Sequence, residues 1–375
     1  MKLHGLMLGI LLVAGCKSVP EPDRFALPLD PGGDVAVATA WAKVNAGADA
    51  YAAGRYAALS LKAKMKGVEP QVVILTECFA EKADKAKVAK GVVSVFGKER
   101  VVGISSYGFY TRDAVADRDA VGLLALGGDG IAVRTAFVPK LKSVGLDADS
   151  PELKAALGTA GRKLAEQLPI YDNQQRLMIV LADTHSPKNQ LLLDGIQEVV
   201  GTSFPITGGS ANKNSGMNWI HWDGGLYADA AVALMISGNI ALAQNGAQAK
   251  DNQAVLDSAK KVATDVAKVF GGSPSSLFLA FDCAGRKGKL EAIEEEQKAV
   301  IAGFFPPRLL DKAHLYNPVI FGMWCAGEFG CPEDSLEKPV GRGWHIMGTI
   351  IGGRKGRELP FLPAAEIIRR SSTTK

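Results

Sequence analysis

The stretch RLMIVLADTHSPKNQLLLDGIQEVVGTSFPITGGSA (176–211) decides the fold. Its first part, RLMIVLAD (176–183), is a short apolar run of strand length that ends in polar residues. PKNQLLLDGIQEVVG (187–201) follows as a helix closed by glycine, and FPITGGSA (204–211) as a second strand running into a glycine turn. Strand, helix, strand makes a parallel pair with a covering helix. WIHWDGGLYADAAVALMIS (219–237) then reads as a hairpin, and a helix over 252–269 is ended by Gly271 and Gly272.

The same order occurs on both sides. Upstream, QVVILT (71–76), a helix over 83–95 and VVGIS (101–105) form a first copy, with VGLLAL (121–126) and IAVRTAFV (131–138) flanking the turn GGDG. Ser150, Pro151 and Glu152 open the next helix with a cap, an N1 proline and a first-turn acid. Downstream, SLFLAFDCAG (276–285), LEAIEEEQKAVIAGF (290–304), NPVIFGMWCAGEFG (317–330) and GWHIMGTIIGG (343–353) form a third copy. The Ala-rich residues 34–66 are expected to be helical. The fold class is therefore α/β: mixed sheets covered by helices, built from about three strand-helix-strand-hairpin units.

The chain has 375 residues, 47% hydrophobic and 22% charged, so it can fill a sizeable core. No segment reaches eighteen consecutive apolar residues, which excludes a polytopic membrane protein. A net charge of +4 on 43 basic and 39 acidic residues, without a basic block, argues against nucleic acid as a partner. Residues 1–16, MKLHGLMLGILLVAGC, begin with Lys2, continue through a short apolar run and end on V-A-G-C. This resembles a bacterial lipobox, with residues 1–15 removed and Cys16 acylated as the membrane anchor. Lys17 in place of Asp points to the outer membrane in a host with two. Residues 16–33, with four prolines, read as a tether, and residues 356–375 as a tail.

Ligands of α/β proteins gather at the carboxyl ends of parallel strands. Three such ends carry polar residues: Thr76-Glu77-Cys78, Asp183-Thr184-His185 and Asp282-Cys283 leading to Arg286. Three glycine-rich turns accompany them, holding Gly103, Ser105 and Ser106, then Gly208, Gly209 and Ser210, then Gly322 to Gly327 followed by Glu328. Glycine lets backbone N–H groups approach a ligand. Arg286 is expected either to pair with Asp282 or Glu328, or to hold a ligand carboxylate bidentately. No nucleophile elbow, dinucleotide turn, Walker loop or H-E-x-x-H is present. The spacing of Cys325 and Cys331 is not that of a zinc site, so no metal is expected. Four cysteines remain after Cys16, and they allow three disulfide pairings.

Three signatures carry a family resemblance: V-V-G-I-S-S-Y-G (101–108), F-P-I-T-G-G-S-A (204–211) with A-V-A-L-M-I-S (231–237), and L-F-L-A-F-D-C-A-G-R (277–286) with G-M-W-C-A-G-E-F-G (322–330). The chain resembles the FIST family over residues 36–353. The resemblance implies a FIST N-terminal domain over 34–245, a FIST C-terminal domain over 246–355, and a sensory module that binds small ligands such as amino acids. It marks Gly103, Ser105, Gly208, Gly209, Ser210, Cys283, Arg286, Gly327 and Glu328 as motif positions. Haem enters only through the resemblance, since some members bind it; the residues themselves imply no cofactor. The lipobox departs from the family's cytoplasmic picture. With no kinase or cyclase segment, any output requires a separate signalling protein. The expectation is a membrane-anchored, ligand-binding protein without catalysis. The alternatives are an envelope enzyme using Cys283 or His185, and a scaffold lipoprotein that binds nothing.

Overall fold

The computed structural model describes residues 34–44, 49–168, 175–214, 216–238, 240–270, 277–305 and 318–353. Cys16, the signal segment, the tether and the tail lie outside them. The chain forms three copies of one unit, as the sequence implies. The first holds β1 (Ala36–Lys43), α1 (Ala50–Lys64), β2 (Pro70–Glu77), α2 (Lys82–Phe96), β3 (Val101–Ser105), β4 (Phe109–Thr111), β5 (Val115–Ala116) and β6 (Ala120–Gly127). The second holds β7 (Ile131–Val138), α3 (Pro151–Glu166), β8 (Gln175–Ala182), α4 (Lys188–Val200), β9 (Ile206–Ser210), β10 (Ile220–Trp222), β11 (Gly225–Tyr227) and β12 (Ala231–Gly238). The third holds β13 (Ile240–Gln248), α5 (Asn252–Phe270), β14 (Leu277–Cys283), α6 (Ala284–Lys287), α7 (Glu294–Phe304), β15 (Val319–Cys325), β16 (Glu328–Gly330), β17 (Val340–Arg342) and β18 (His345–Gly353).

Three mixed six-stranded sheets result, ordered β1-β6-β2-β3-β10-β11, β7-β12-β8-β9-β16-β17 and β13-β18-β14-β15-β4-β5. Each sheet has one parallel pair: β2 with β3, β8 with β9, and β14 with β15. Each is finished by a hairpin from another unit. The second unit's β10-β11 extends the first sheet, the third unit's β16-β17 extends the second, and the first unit's β4-β5 extends the third. The exchange is cyclic, so no unit completes its own sheet.

The inner faces of all three sheets share one apolar core, which includes Ile74, Ile104, Ile179, Leu181, Phe281 and Met323. Three outer cores lie between each sheet and its own helices. The paired helices approach until backbones touch. A Cβ on Gly54 would stand 2.2 Å from the Val88 carbonyl of α2, and one on Gly161 would stand 2.1 Å from the Leu192 carbonyl of α4. Glycine recurs where helices cross because only hydrogen fits there. The α3 start is as expected: the Ser150 hydroxyl accepts the Leu153 N–H at 3.2 Å, with Pro151 at N1.

Four expectations are corrected. Residues 34–66 are not one helix, because 36–43 form β1. Val37, Thr39 and Trp41 alternate with Ala38, Ala40 and Ala42, and the alanines sit under the helices while Val37 packs on the central core. That period of two outweighs alanine's helix propensity. The strands around GGDG do not pair, since β6 and β7 belong to different sheets. The 219–237 segment is likewise divided: β10 and β11 pair with each other, while β12 enters the second sheet between β7 and β8. The third unit also starts earlier than its apolar signal, at β13.

Candidate functional site

The carboxyl ends of β3, β9 and β15 meet and are tied in a ring by main-chain hydrogen bonds. Asn212 N–H donates to the Ser105 carbonyl at 2.8 Å. Ser210 N–H donates to Gly327 at 2.8 Å, and Ala326 N–H donates back to Ser210 at 3.1 Å. Trp324 N–H donates to Gly108 and Tyr107 N–H to Trp324, both at 2.9 Å. Every link joins one unit to the next. The three glycine turns of the sequence thus lie side by side.

Inside the strands the glycines serve packing. Gly103 faces His221 of the incoming hairpin, Gly208 faces Phe329, and Gly322 faces Tyr110. A Cβ on Gly103 would lie 1.8 Å from the Leu75 carbonyl, and one on Gly322 2.1 Å from Cζ of Tyr110. A Cβ on Gly209 would lie 2.3 Å from the Cys325 sulfur, and one on Gly327 2.9 Å from the Ser186 nitrogen.

Beneath α2 a buried polar cluster closes the first sheet. Glu77 accepts from Lys85 Nζ at 3.0 Å, from Phe79 N–H at 2.9 Å and from the Ser105 hydroxyl. His221 Nε2 stands 3.3 Å away. Burial pushes the Glu77 carboxyl up, but His221, Lys85 and Ser105 outweigh it and hold it below the usual range. Ser106 continues the chain, accepting from Thr76 at 2.7 Å.

Beneath α7 the third sheet has a counterpart. Arg286 is fully buried. It gives Nε to Asp282 at 2.8 Å and Nη2 to Glu296 at 2.6 Å and to the Val255 carbonyl, and Nη1 to Ser258 at 3.0 Å. The guanidinium is thus spent on structure, and the bidentate ligand role is corrected: of the alternatives, Asp282 pairing is the one realised. Burial, then Glu296, pushes Asp282 well above the usual range despite Arg286. One guanidinium thus serves two buried carboxyl groups, Asp282 and Glu296. Glu328 is also buried and pushed well up, though His345 N–H and the Cys283 thiol pull the other way. Burial pushes Cys283 up to about 12. All four described cysteines are free and buried. The second sheet has no such cluster: Ala182 stands where Glu77 does, and the Ser210 hydroxyl has no partner.

The accessible part of the junction centres on Tyr107, which is half-buried. Its hydroxyl accepts the Lys213 N–H at 3.2 Å, and its carbonyl accepts Lys287 Nζ at 3.0 Å. His185 is half-buried nearby, and burial, Lys188 and Lys213 all push its pKa down. Lys287 is in turn paired with Asp117 at 2.9 Å, and Lys188 Nζ donates to the Ser143 and Leu146 carbonyls. Asp183 accepts from Asn218 Nδ2 and Asp229 N–H, and burial raises it to about 6. The described histidines do not fit haem. His221 bonds Glu77, His345 Nδ1 bonds the Gly343 carbonyl, and His185 stands among lysines instead of an apolar wall. Among the described residues no cluster is placed to hold a metal ion. Lys85, Glu296, Lys213 and Lys287 carried no motif in the sequence. His221 meets Glu77 across 144 residues, so no local pattern announces the pair.

The fold and this junction define a cyclic three-unit α/β module whose accessible polar surface lies where strand ends converge. Residues 71–249 match the family model of the FIST N domain. No curated protein matches the sequence. Among solved structures, it is similar to cyanuric acid hydrolase from A. caulinodans, with TM-score 0.44 and 10% identity over 85% of this chain and 99% of that one. It is also similar to PurL of T. maritima complexed with ATP, with TM-score 0.27 and 7% identity over 86% of this chain and 72% of that one.

Two outcomes follow from the buried charges. Arg286→Ala leaves Asp282 and Glu296 without their cation, so denaturant unfolding should show a loss of about 3–5 kcal/mol. A loss under 1 kcal/mol would contradict the structural assignment. Asp183 titrates higher folded than unfolded, so its contribution is present below about pH 4 and is lost as pH rises through about 6. Asp183→Asn should flatten the stability-versus-pH curve in that window; an unchanged slope counts against it.

Proposed function

We propose that this FIST protein is a sensory module that binds a small anionic molecule, an amino acid or a related compound, without transforming it. The site is the junction face around Tyr107, Lys213 and His185, and lipidated Cys16 holds the protein at the bacterial cell envelope, with any output passing to a separate signalling protein. The observation that carries this reading is the meeting of Tyr107, Lys213 and Lys287 where three strand ends converge. Lys188 and Lys213 both depress the His185 pKa, so they bear on one spot, and an anion bound there relieves that repulsion. The FIST N domain supports the sensory class. Binding without chemistry is supported by the Cys283 thiol at about 12, far from a thiolate at neutral pH. It is supported too by His185, which has no carboxylate among the neighbours that set its pKa.

A thermal-shift screen of amino acids, small carboxylates and nucleotides tests the binding. A ligand at 100 times its Kd stabilises the native state by about 2.7 kcal/mol. Lys213→Ala, at an exposed position, should weaken a genuine hit about tenfold or more with little change in the unliganded melting temperature. Hits that survive both Lys213→Ala and Tyr107→Ala would move the site elsewhere, and turnover of a bound compound would make the protein an enzyme. The anchor is tested by detergent partitioning: Cys16→Ser should shift the chain from the membrane to the aqueous fraction, and an unshifted variant removes the lipid anchor.

A further inference from the structure

Away from the junction, the first unit carries a groove of about 660 Å³ between the open edge of β1 and one side of α1. Trp41 and Lys43 line one wall, and Ala52, Tyr56, Ser60 and Lys64, at helical spacing, line the other. Trp41 is 38% exposed and Tyr56 68%, large values for aromatic side chains. The equivalent edges of the other sheets are better covered. Gln167 at the end of α3 both donates to and accepts from the main chain of Phe137 in β7. Glu333 N–H donates to Gly246 in β13. At β1 the exposed Lys64 Nζ donates to the Thr39 carbonyl at 3.0 Å. An uncovered strand edge is a standing invitation to an extended segment.

The chain itself contains such a segment. β18 ends at Gly353 beside Val35, the two being in van der Waals reach, and 22 residues follow, RKGRELPFLPAAEIIRRSSTTK (354–375). Six extended residues span about 20 Å. That is the path from Val35 along β1 to Trp41, and equally the path from Gly353 to Leu359. An extended continuation of that length would bring the apolar P-x-x-P run Leu359-Pro360-Phe361-Leu362-Pro363 level with Trp41 and Tyr56. Proline-rich segments favour aromatic grooves because they are extended before they bind, and proline has no N–H to leave unpaired at an edge. The segment as a whole is basic, with six Lys and Arg against Glu358 and Glu366, but those two acids flank the apolar run and would be the ones to meet Lys43 and Lys64 beside the groove.

We propose that the 354–375 tail docks in cis on this groove, seating Leu359–Pro363 on Trp41 and Tyr56. A zero-length carbodiimide cross-link on the full chain tests it, with peptides mapped by mass spectrometry. Lys261 and Glu333, 2.9 Å apart, are the internal control. Links from Lys43 or Lys64 to Glu358 or Glu366 within one chain are expected. They should fall at least fivefold in the Phe361→Asp, Leu362→Asp double variant while the control link persists. Tail links that are absent beside an intact control, or that survive in the double variant, overturn the proposal. So do links found only between labelled and unlabelled copies in a mixed sample, which would make a second copy the occupant.

Discussion

The ring of main-chain hydrogen bonds at the ends of β3, β9 and β15 is the constraint on which the rest depends. Each sheet lacks its last two strands until another unit supplies them. An unfinished sheet would leave unpaired N–H and C=O groups at a buried edge, which is costly. The three units therefore complete one another or none is complete. The same exchange brings three strand ends to one place, so the architecture that closes the sheets also makes the junction. Its polar surface is a product of the exchange and not of any single unit.

The buried charges follow the same geometry. Two units place an acid at the end of the first parallel strand, Glu77 and Asp282, on the side facing the helices. Each meets a cation from the following helical segment, Lys85 or Arg286. Each also has a residue of the imported hairpin at the same level of the sheet, His221 or Tyr110. Charges so buried add little stability in themselves but are costly to leave unpaired, so they penalise any arrangement in which the hairpin or helix is misplaced. The second unit has Ala182 at that level instead, and there Asp183 and His185 follow the strand, with Lys188 and Lys213 bearing on His185. That asymmetry, and not the threefold pattern, singles out one sector of the junction.

The legibility of the site was uneven for the same reason. Asp282, Cys283 and Arg286 were visible because they follow an apolar strand within a few residues, and the structure pairs Asp282 with Arg286. The sequence left the ligand role open; only the Ser258, Val255 and Glu296 contacts show that, with Asp282, four of the five guanidinium N–H donors are used within the protein. The glycines were read as openings toward a ligand, yet Gly103, Gly208 and Gly322 admit a neighbouring strand and the hairpin opposite. A glycine required by close packing and one required by ligand approach look alike in a sequence, since both report only a missing Cβ. Tyr107 and Lys213 lie 106 residues apart and meet through a bond that no spacing rule contains.

By itself the sequence determined the repeated strand-helix-strand order, the α/β class and the polar strand ends, because these rest on local periodicity and on contiguous motifs. It misread β1, where alanine's propensity hid an alternation of two. Tertiary structure alone decided which hairpin completes which sheet, which of the polar residues are buried and spent, and which meet at the junction. Those outcomes depend on contacts between residues tens to hundreds of positions apart. Their free energy comes from closing sheet edges and burying apolar faces together, a cooperative sum that no local window of the chain contains.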